Sequence, residues 1–128
     1  MIVIDTSALI AILAQEQAKV DLLARIEIAP RRVISLVTQV ESIMVASRMF
    51  PDPVAAVSTT LQTMSVQVIP VDVSQSVWAV HAFLTYGKGR HAARLNICDC
   101  FSYAAARALN APLLYVGDDF ARTDIRAA

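Results

Sequence analysis

Short apolar runs, each stopped by an acid or a turn and followed by a stretch with helical spacing, set the fold class of this chain. Ile2-Val3-Ile4 is continuous and β-favouring, ends at Asp5-Thr6-Ser7, and gives way to the helix formers Ala8-Leu9-Ile10-Ala11-Ile12-Leu13-Ala14. A strand that is apolar at every position has no solvated face, so it belongs inside a sheet covered on both sides. The alternation recurs. Leu22, Leu23 and Ile26 give an amphipathic helix that stops near Pro30, and Val33-Ile34 follow as a short strand. Thr38 and Glu41 have the spacing of a capping box and open a helix expected to run to about Phe50. Pro51-Asp52-Pro53 separates it from a helix over roughly Val54 to Met64, and Val66 to Val71 is the next strand. Asp72 caps a helix carrying Val77, Trp78, Val80, His81, Phe83 and Leu84, which Gly87-Lys88-Gly89 breaks. Asp99 opens an Ala-rich helix ending near Asn110, and Leu113 to Val116 is a last strand running into Gly117-Asp118-Asp119-Phe120. Strands and helices alternating in such short units predict one α/β domain over residues 1–128, a parallel sheet with helices on both faces.

Composition narrows the function. With 128 residues, 56% of them hydrophobic and 17% charged, the chain has a core of its own and none of the polarity of a disordered segment. Gly87, Gly89 and Gly117 are its three glycines. They cannot supply the closely spaced glycines of a dinucleotide site or a P-loop. Eleven basic residues balance eleven acidic ones, so binding to a polyanion must come from a local patch. Cys98 and Cys100 flank Asp99, a spacing that suits neither a C-x-x-C redox pair nor a zinc half-site, and they read as small apolar residues in a reducing cytoplasm. The apolar start lacks a basic n-region, and no run reaches the roughly 18 apolar residues of a membrane span.

The acids fall where chemistry is expected in such a sheet. Asp5 ends the first strand, Glu41 lies in the first turn of one helix, Asp99 starts another, and Asp118-Asp119 follow the last strand. Ligand sites of open parallel sheets form at the carboxyl ends of the strands, which is where all four stretches lead. Any one of these acids alone is explained as a cap. Together they repel one another unless a cation neutralises them. Oxygen donors without a His or Cys cluster select Mg²⁺ or Mn²⁺, and two such ions about 3.5–4 Å apart support in-line phosphodiester hydrolysis. Thr6 and Ser7 are placed to bond the Asp5 carboxylate or a metal-bound water, or else to cap the first helix. Lys88, Arg90 and Arg94, with His91, form the local basic patch, suited to positioning phosphates without reading sequence. Trp78 and Phe83 fall at helical spacing, as core or interface residues do. A phosphate-accepting receiver domain would need a Lys after a late strand, and none follows Leu113 to Val116.

The opening M-I-V-I-D-T-S-A-L, the V-E-S at Val40-Glu41-Ser42, the stretch Y-G-K-G-R-H-A-A-R-L-N-I-C-D-C-F-S-Y-A-A-A and the ending P-L-L-Y-V-G-D-D-F-A-R-T-D-I closely resemble PIN-domain ribonucleases of the VapC toxin type. The resemblance covers nearly the whole chain in the right motif order. It implies a three-layer α/β/α sandwich, an acidic Mg²⁺ site that cuts RNA, and a VapB-type antitoxin that silences it. By position Asp5, Glu41 and Asp99 match the first three acids of the family. Asp118 and Asp119 compete for the fourth, with Asp118, nearer the strand end, preferred as the direct ligand. The chain departs from the usual pattern at Cys98, where Gly often precedes the third acid, at Ala92 in place of Pro, and at Val116 in place of Lys. The expected activity is that of a metal-dependent endoribonuclease acting as a toxin that inhibits translation. The alternative is a catalytically weak PIN domain that regulates its own operon with a DNA-binding antitoxin. A homodimer is expected as well, because so apolar a chain leaves surface that it cannot hide alone.

Overall fold

The computed structural model describes all residues, Met1–Ala128. Its centre is a four-stranded, all-parallel sheet in the order β3-β2-β1-β4, built from β1 (Ile2–Ile4), β2 (Arg32–Ser35), β3 (Gln67–Ile69) and β4 (Leu113–Leu114). Side chains alternate across a strand, and here both faces are dry. Val3, Val33 and Leu113 point into one core with Ala82, Leu95, Tyr103 and Ala104. Ile2, Ile4, Ile34 and Leu114 point into the other with Leu9, Leu22, Ile26, Val57 and Leu61. That double burial is what the uninterrupted Ile2-Val3-Ile4 run demands.

The helices fill the two outer layers. The face of Ile4 carries α1 (Thr6–Leu13), α2 (Lys19–Ile28) and α4 (Pro53–Thr63), with the end of α3 (Leu36–Ala46) joining them through Ala46. The face of Val3 is covered by α5 (Val73–Tyr86) packed along α6 (Ile97–Ala108). This is the three-layer α/β/α sandwich. The chain steps outward from β1 to β2 to β3 and then crosses to β4 on the far side of β1, so the direction of winding switches between β1 and β4. A crevice forms at such a switch point, outside the carboxyl ends of the strands.

Local chemistry accounts for most element ends, with some shifts from the sequence reading. Asp52 and Asp72 accept hydrogen bonds from Ala55 N–H and Gln75 N–H, capping α4 and α5. Asn110 ends α6 in the left-handed region at φ 47°. Gly117 turns the chain after β4 at φ +98°, a conformation that a side chain would strain. Gly87 follows α5 so closely that a Cβ there would sit 2.4 Å from the Phe83 carbonyl oxygen. The expected capping box at Thr38 and Glu41 is not formed: α3 starts at Leu36 and ends at Ala46, and its flanking Ser35 makes no side-chain cap. Thr38 instead lies inside the helix, fully buried, with its hydroxyl turned to Ser102. The real capping box opens α6, where Asn96 Oδ1 accepts from Asp99 N–H and Asp99 Oδ2 accepts from Asn96 N–H. Asp99 is thus the third residue of its helix and not the first.

Candidate active site

Asp5 is the residue on which the site is built. It leaves β1 in extended conformation, caps α1 and is only 3% exposed. Its Oδ2 accepts from both the N–H and the hydroxyl of Ser7, at 2.9 and 2.7 Å. Its Oδ1 is buried and has no hydrogen-bond partner. On the neighbouring strand the Ser35 hydroxyl is also buried without a partner. Extending the ladder that pairs Val3 with Val33 places Asp5 opposite Ser35. Two residues with orphaned oxygens thus end paired strands at the carboxyl edge of the sheet, where a buried polar atom left unsatisfied costs about 1–3 kcal/mol.

Three further acids act electrostatically on the same point. Burial raises the Asp99 carboxyl from the ordinary 3.8 to about 7; the Asn96 N–H opposes the rise, and the charges of Asp5, Glu41 and Asp119 add to it. Acids from the end of β1, from α3 and from the turn after β4 therefore all act on the α6 carboxyl of Asp99. Asp118 is not among the charges that move Asp99; of the final pair it is Asp119 that reaches it. Both are exposed, as loop side chains able to reorient are. As the side chains lie, no three of them close around one point, and Asp99 is turned back onto Asn96. The donor set is nonetheless that of a hard divalent cation: carboxylates from four elements, one of them presenting a dry, unpartnered oxygen.

Beneath the acids, a chain of hydroxyls ties together the helices that carry them. Thr6 donates to the Thr38 carbonyl at 3.4 Å, a long bond, and Ser42 donates to the same carbonyl at 2.7 Å. The Thr38 and Ser102 hydroxyls are 2.9 Å apart. Each participant is a near neighbour of an acid: Thr6 follows Asp5, Ser42 follows Glu41, and Ser102 is one turn on from Asp99. Thr6 therefore braces α1 against α3 and does not hold Asp5, a task that falls to Ser7. Sequence reading missed Ser42 and Ser102. Their signal was a small hydroxyl beside or one turn beyond an acid on an otherwise mostly apolar helix.

Cys98 also enters the site. Half-buried on the first turn of α6, its thiol is pushed up to about 12 by burial, by hydrogen bonding to Glu41 and by the charges of Glu41, Asp99 and Asp5. The basic residues are arranged differently. Lys88, Arg90 and Arg94 stay exposed on the loop between α5 and α6, whose ends are pinned by Lys88 N–H to Leu95 O and Leu95 N–H to Tyr86 O. Arg90 lies over the Phe83 ring, 5.3 Å from its centroid. The loop leads directly into Asn96, the cap of the helix that carries Asp99. No helix is long and apolar enough to cross a membrane.

The sequence profile of the PIN domain family matches residues 2–126. The chain belongs to the VapC family of PIN-domain proteins. It is 40% identical over 124 residues to a protein of Mycobacterium bovis named VapC ribonuclease Mb0640, covering 96% of this chain and 95% of that one. It is 40% identical over 126 residues to a protein of Mycolicibacterium smegmatis named Ribonuclease VapC, covering 98% of each. Among solved structures, VapC20 of Mycobacterium tuberculosis, described as a sarcin-ricin loop cleaving toxin, superposes with a TM-score of 0.77 at 20% identity over 100% of this chain and 98% of that one. VapBC-1 of nontypeable Haemophilus influenzae does so with a TM-score of 0.76 at 23% identity, over 100% and 97%. These two likenesses establish the fold of the VapC-family chain: the sandwich and its strand-end crevice.

Proposed function

We propose that this VapC-family protein is a Mg²⁺-dependent endoribonuclease, the toxin of a type II toxin–antitoxin pair, which hydrolyses RNA phosphodiester bonds and so inhibits translation. The observation that carries the reading is the buried, unpartnered Oδ1 of Asp5, beside an Asp99 carboxyl on which the charges of Asp5, Glu41 and Asp119 act. A buried oxygen left without a partner is costly, and a cation bound beside it removes that cost. Asp5 and Asp99 hold that cation, with Mn²⁺ able to substitute; Glu41 and Asp119 complete its surroundings, Asp119 taking precedence over Asp118. Bound Mg²⁺ supplies Lewis acidity toward a phosphodiester. Ser7 fixes Asp5 in place, and the capping box keeps Asp99 at the mouth of the crevice. Lys88, Arg90 and Arg94 position the RNA backbone, adding affinity without a base-reading code.

The family's names supply the partner class: a VapB-type antitoxin, as in the solved VapBC-1 assembly. Clustered carboxylates that attract Mg²⁺ also attract a guanidinium, so a basic side chain of that antitoxin competes with the metal in the crevice. The test is cleavage of an RNA panel with and without Mg²⁺. Asp5→Asn and Asp119→Asn abolish or strongly reduce cleavage and Mn²⁺ binding measured by calorimetry, while Asp118→Asn retains both. Metal-independent cleavage, or full activity of Asp5→Asn, refutes the proposal.

A further inference from the structure

One contact joins the basic loop to the acidic turn. The loop between α5 and α6 is closed at its neck by the bonds of Lys88 N–H and Leu95 N–H. Inside it, Arg90 N–H and His91 N–H bond the Gly87 carbonyl, and Ala93 N–H bonds His91 Nδ1. The side-chain hydrogen bond that reaches it from elsewhere in the fold is Arg122 Nη1 to the Ala92 carbonyl, at 3.2 Å. Arg122 ends the short 3₁₀ turn Phe120–Arg122 that follows Asp119, and its own N–H bonds the Asp119 carbonyl at 3.3 Å. That turn is anchored: Phe120 is buried against Tyr115, and Thr123 Oγ1 donates to the Phe120 carbonyl at 2.7 Å. Arg122 is thus fixed at both ends, by its backbone beside Asp119 and by its guanidinium on the loop that carries Lys88, Arg90 and Arg94.

No acid answers its charge. The ion pairs of the chain are Arg25 with Asp21 and Arg107 with Asp124, and no carboxylate lies within that reach of Arg122. A guanidinium held by a neutral carbonyl keeps its full charge, and the rest of its N–H fork is exposed and oriented in advance for an anion. We propose that Arg122 is a phosphate-binding residue for RNA, gripping the backbone between the basic loop and the Asp119 turn. The inference rests on the reading of the protein as a ribonuclease and adds the residue that ties backbone binding to the acidic site. Lys88, Arg90 and Arg94 come from one segment that holds no acid. Arg122 belongs to the turn of Asp119, so a phosphate bound bidentately on its fork is set at a fixed offset from that carboxylate.

The experiment measures binding of a labelled, mixed-sequence single-stranded RNA to the full chain by fluorescence anisotropy over a series of salt concentrations. A chelator keeps metal-dependent cleavage off. Each phosphate contact to a single strand adds about 0.7 to the slope of log affinity against log salt. Arg122→Gln, which keeps an N–H donor for the Ala92 carbonyl but not the charge, is expected to lower the slope by about that amount. Arg122→Lys should keep the slope and bind more weakly than wild type, because an ammonium lacks the planar fork that takes two phosphate oxygens at once. Arg48→Gln, at an exposed arginine just past the end of α3 and outside both segments, should match wild type. Circular dichroism checks that the variants are folded. A wild type without measurable RNA binding, an unchanged slope in Arg122→Gln, or an equal fall in Arg122→Lys or Arg48→Gln overturns the proposal. Mg²⁺-dependent cleavage is scored separately: a lowered slope without cleavage refutes the nuclease alone, and cleavage with an unchanged slope refutes the role of Arg122 alone.

Discussion

The hydroxyl of Ser7 accepts a hydrogen bond from the backbone N–H of Val116 at 3.0 Å, while donating to Asp5 Oδ2 at 2.7 Å. One oxygen thus joins the start of α1 to the chain leaving β4, across the switch point of the sheet. It fixes the orientation of the buried acid and the start of the turn that carries Asp119.

Ser7→Ala removes both bonds and leaves Asp5 Oδ2 with the Ser7 backbone N–H alone. The expected loss is about 1–2 kcal/mol of stability, the typical cost of deleting a hydrogen bond to a charged group. Mn²⁺ affinity should fall with it, because the freed carboxylate no longer points Oδ1 into the crevice. Urea unfolding and calorimetry measure the two effects. Unchanged metal affinity would show that the acid is oriented by the backbone alone.

The raised carboxyl of Asp99 gives the metal-free protein a specific pH dependence. Its folded value is about 7 against an ordinary 3.8, so between those pH values the folded state holds a proton that the unfolded state has lost. Stability therefore falls as pH rises across that window and levels off above about 7. Asp99→Asn removes this slope and keeps an acceptor for the Asn96 N–H. Urea midpoints of the metal-free proteins should show the variant more stable than wild type near pH 8, the gap closing toward pH 4. Saturating Mg²⁺ should reverse the order above pH 7, since only the wild type gains the ion.

The buried hydroxyl pair of Thr38 and Ser102 makes a third expectation. Ser102→Ala leaves the Thr38 hydroxyl without a partner in a dry environment and should cost about 1–3 kcal/mol. Adding Thr38→Val removes the orphan, so the double variant should be more stable than the two separate losses predict. A thermodynamic cycle by urea unfolding gives the coupling. Additive losses would mean that α3 and α6 do not depend on this contact.

Sequence legibility followed chemistry more than position. Ile2-Val3-Ile4 announced a buried parallel strand because no residue in it can face water, and Asp5, Asp72 and Asn110 announced element ends because their side chains or backbone preferences act locally. The Thr38 and Glu41 spacing misled because the same residue types serve a tertiary role: the hydroxyl that caps a helix in isolation is taken here by Ser102, 64 residues away. The four acids were legible as strand-end or helix-start residues. The action of the other charges on Asp99 was not, since it depends on the β3-β2-β1-β4 order, which no local pattern encodes. Closeness to the strand end favours Asp118 as the direct ligand. The left-handed Gly117 redirects the chain, and the charge that reaches Asp99 is that of Asp119.

The last expectation concerns the homodimer, proposed from the surface of α5. Trp78, a candidate contact from sequence, packs against the core and lies beneath Arg107, whose guanidinium is 4.7 Å from the ring centroid. The exposed stripe is instead Val73, Val77, Val80 and Leu84, spaced so that all lie on one side of α5, with Phe83 beside them and Ile97 across a groove of about 410 Å³. Val73 is 81% and Ile97 72% exposed. Monomers seldom leave so continuous an apolar stripe in water. Fully burying each aliphatic side chain against a second copy is worth roughly 1.5–3 kcal/mol, enough in sum to offset the entropy of association. Val77→Glu places an unpaired charge at the middle of the stripe without touching either core. It should convert the dimer to a monomer by light scattering while leaving the circular dichroism spectrum and Mn²⁺ binding intact. A wild type that is monomeric at tens of micromolar, about the range in which weak dimers dissociate, sinks the proposal.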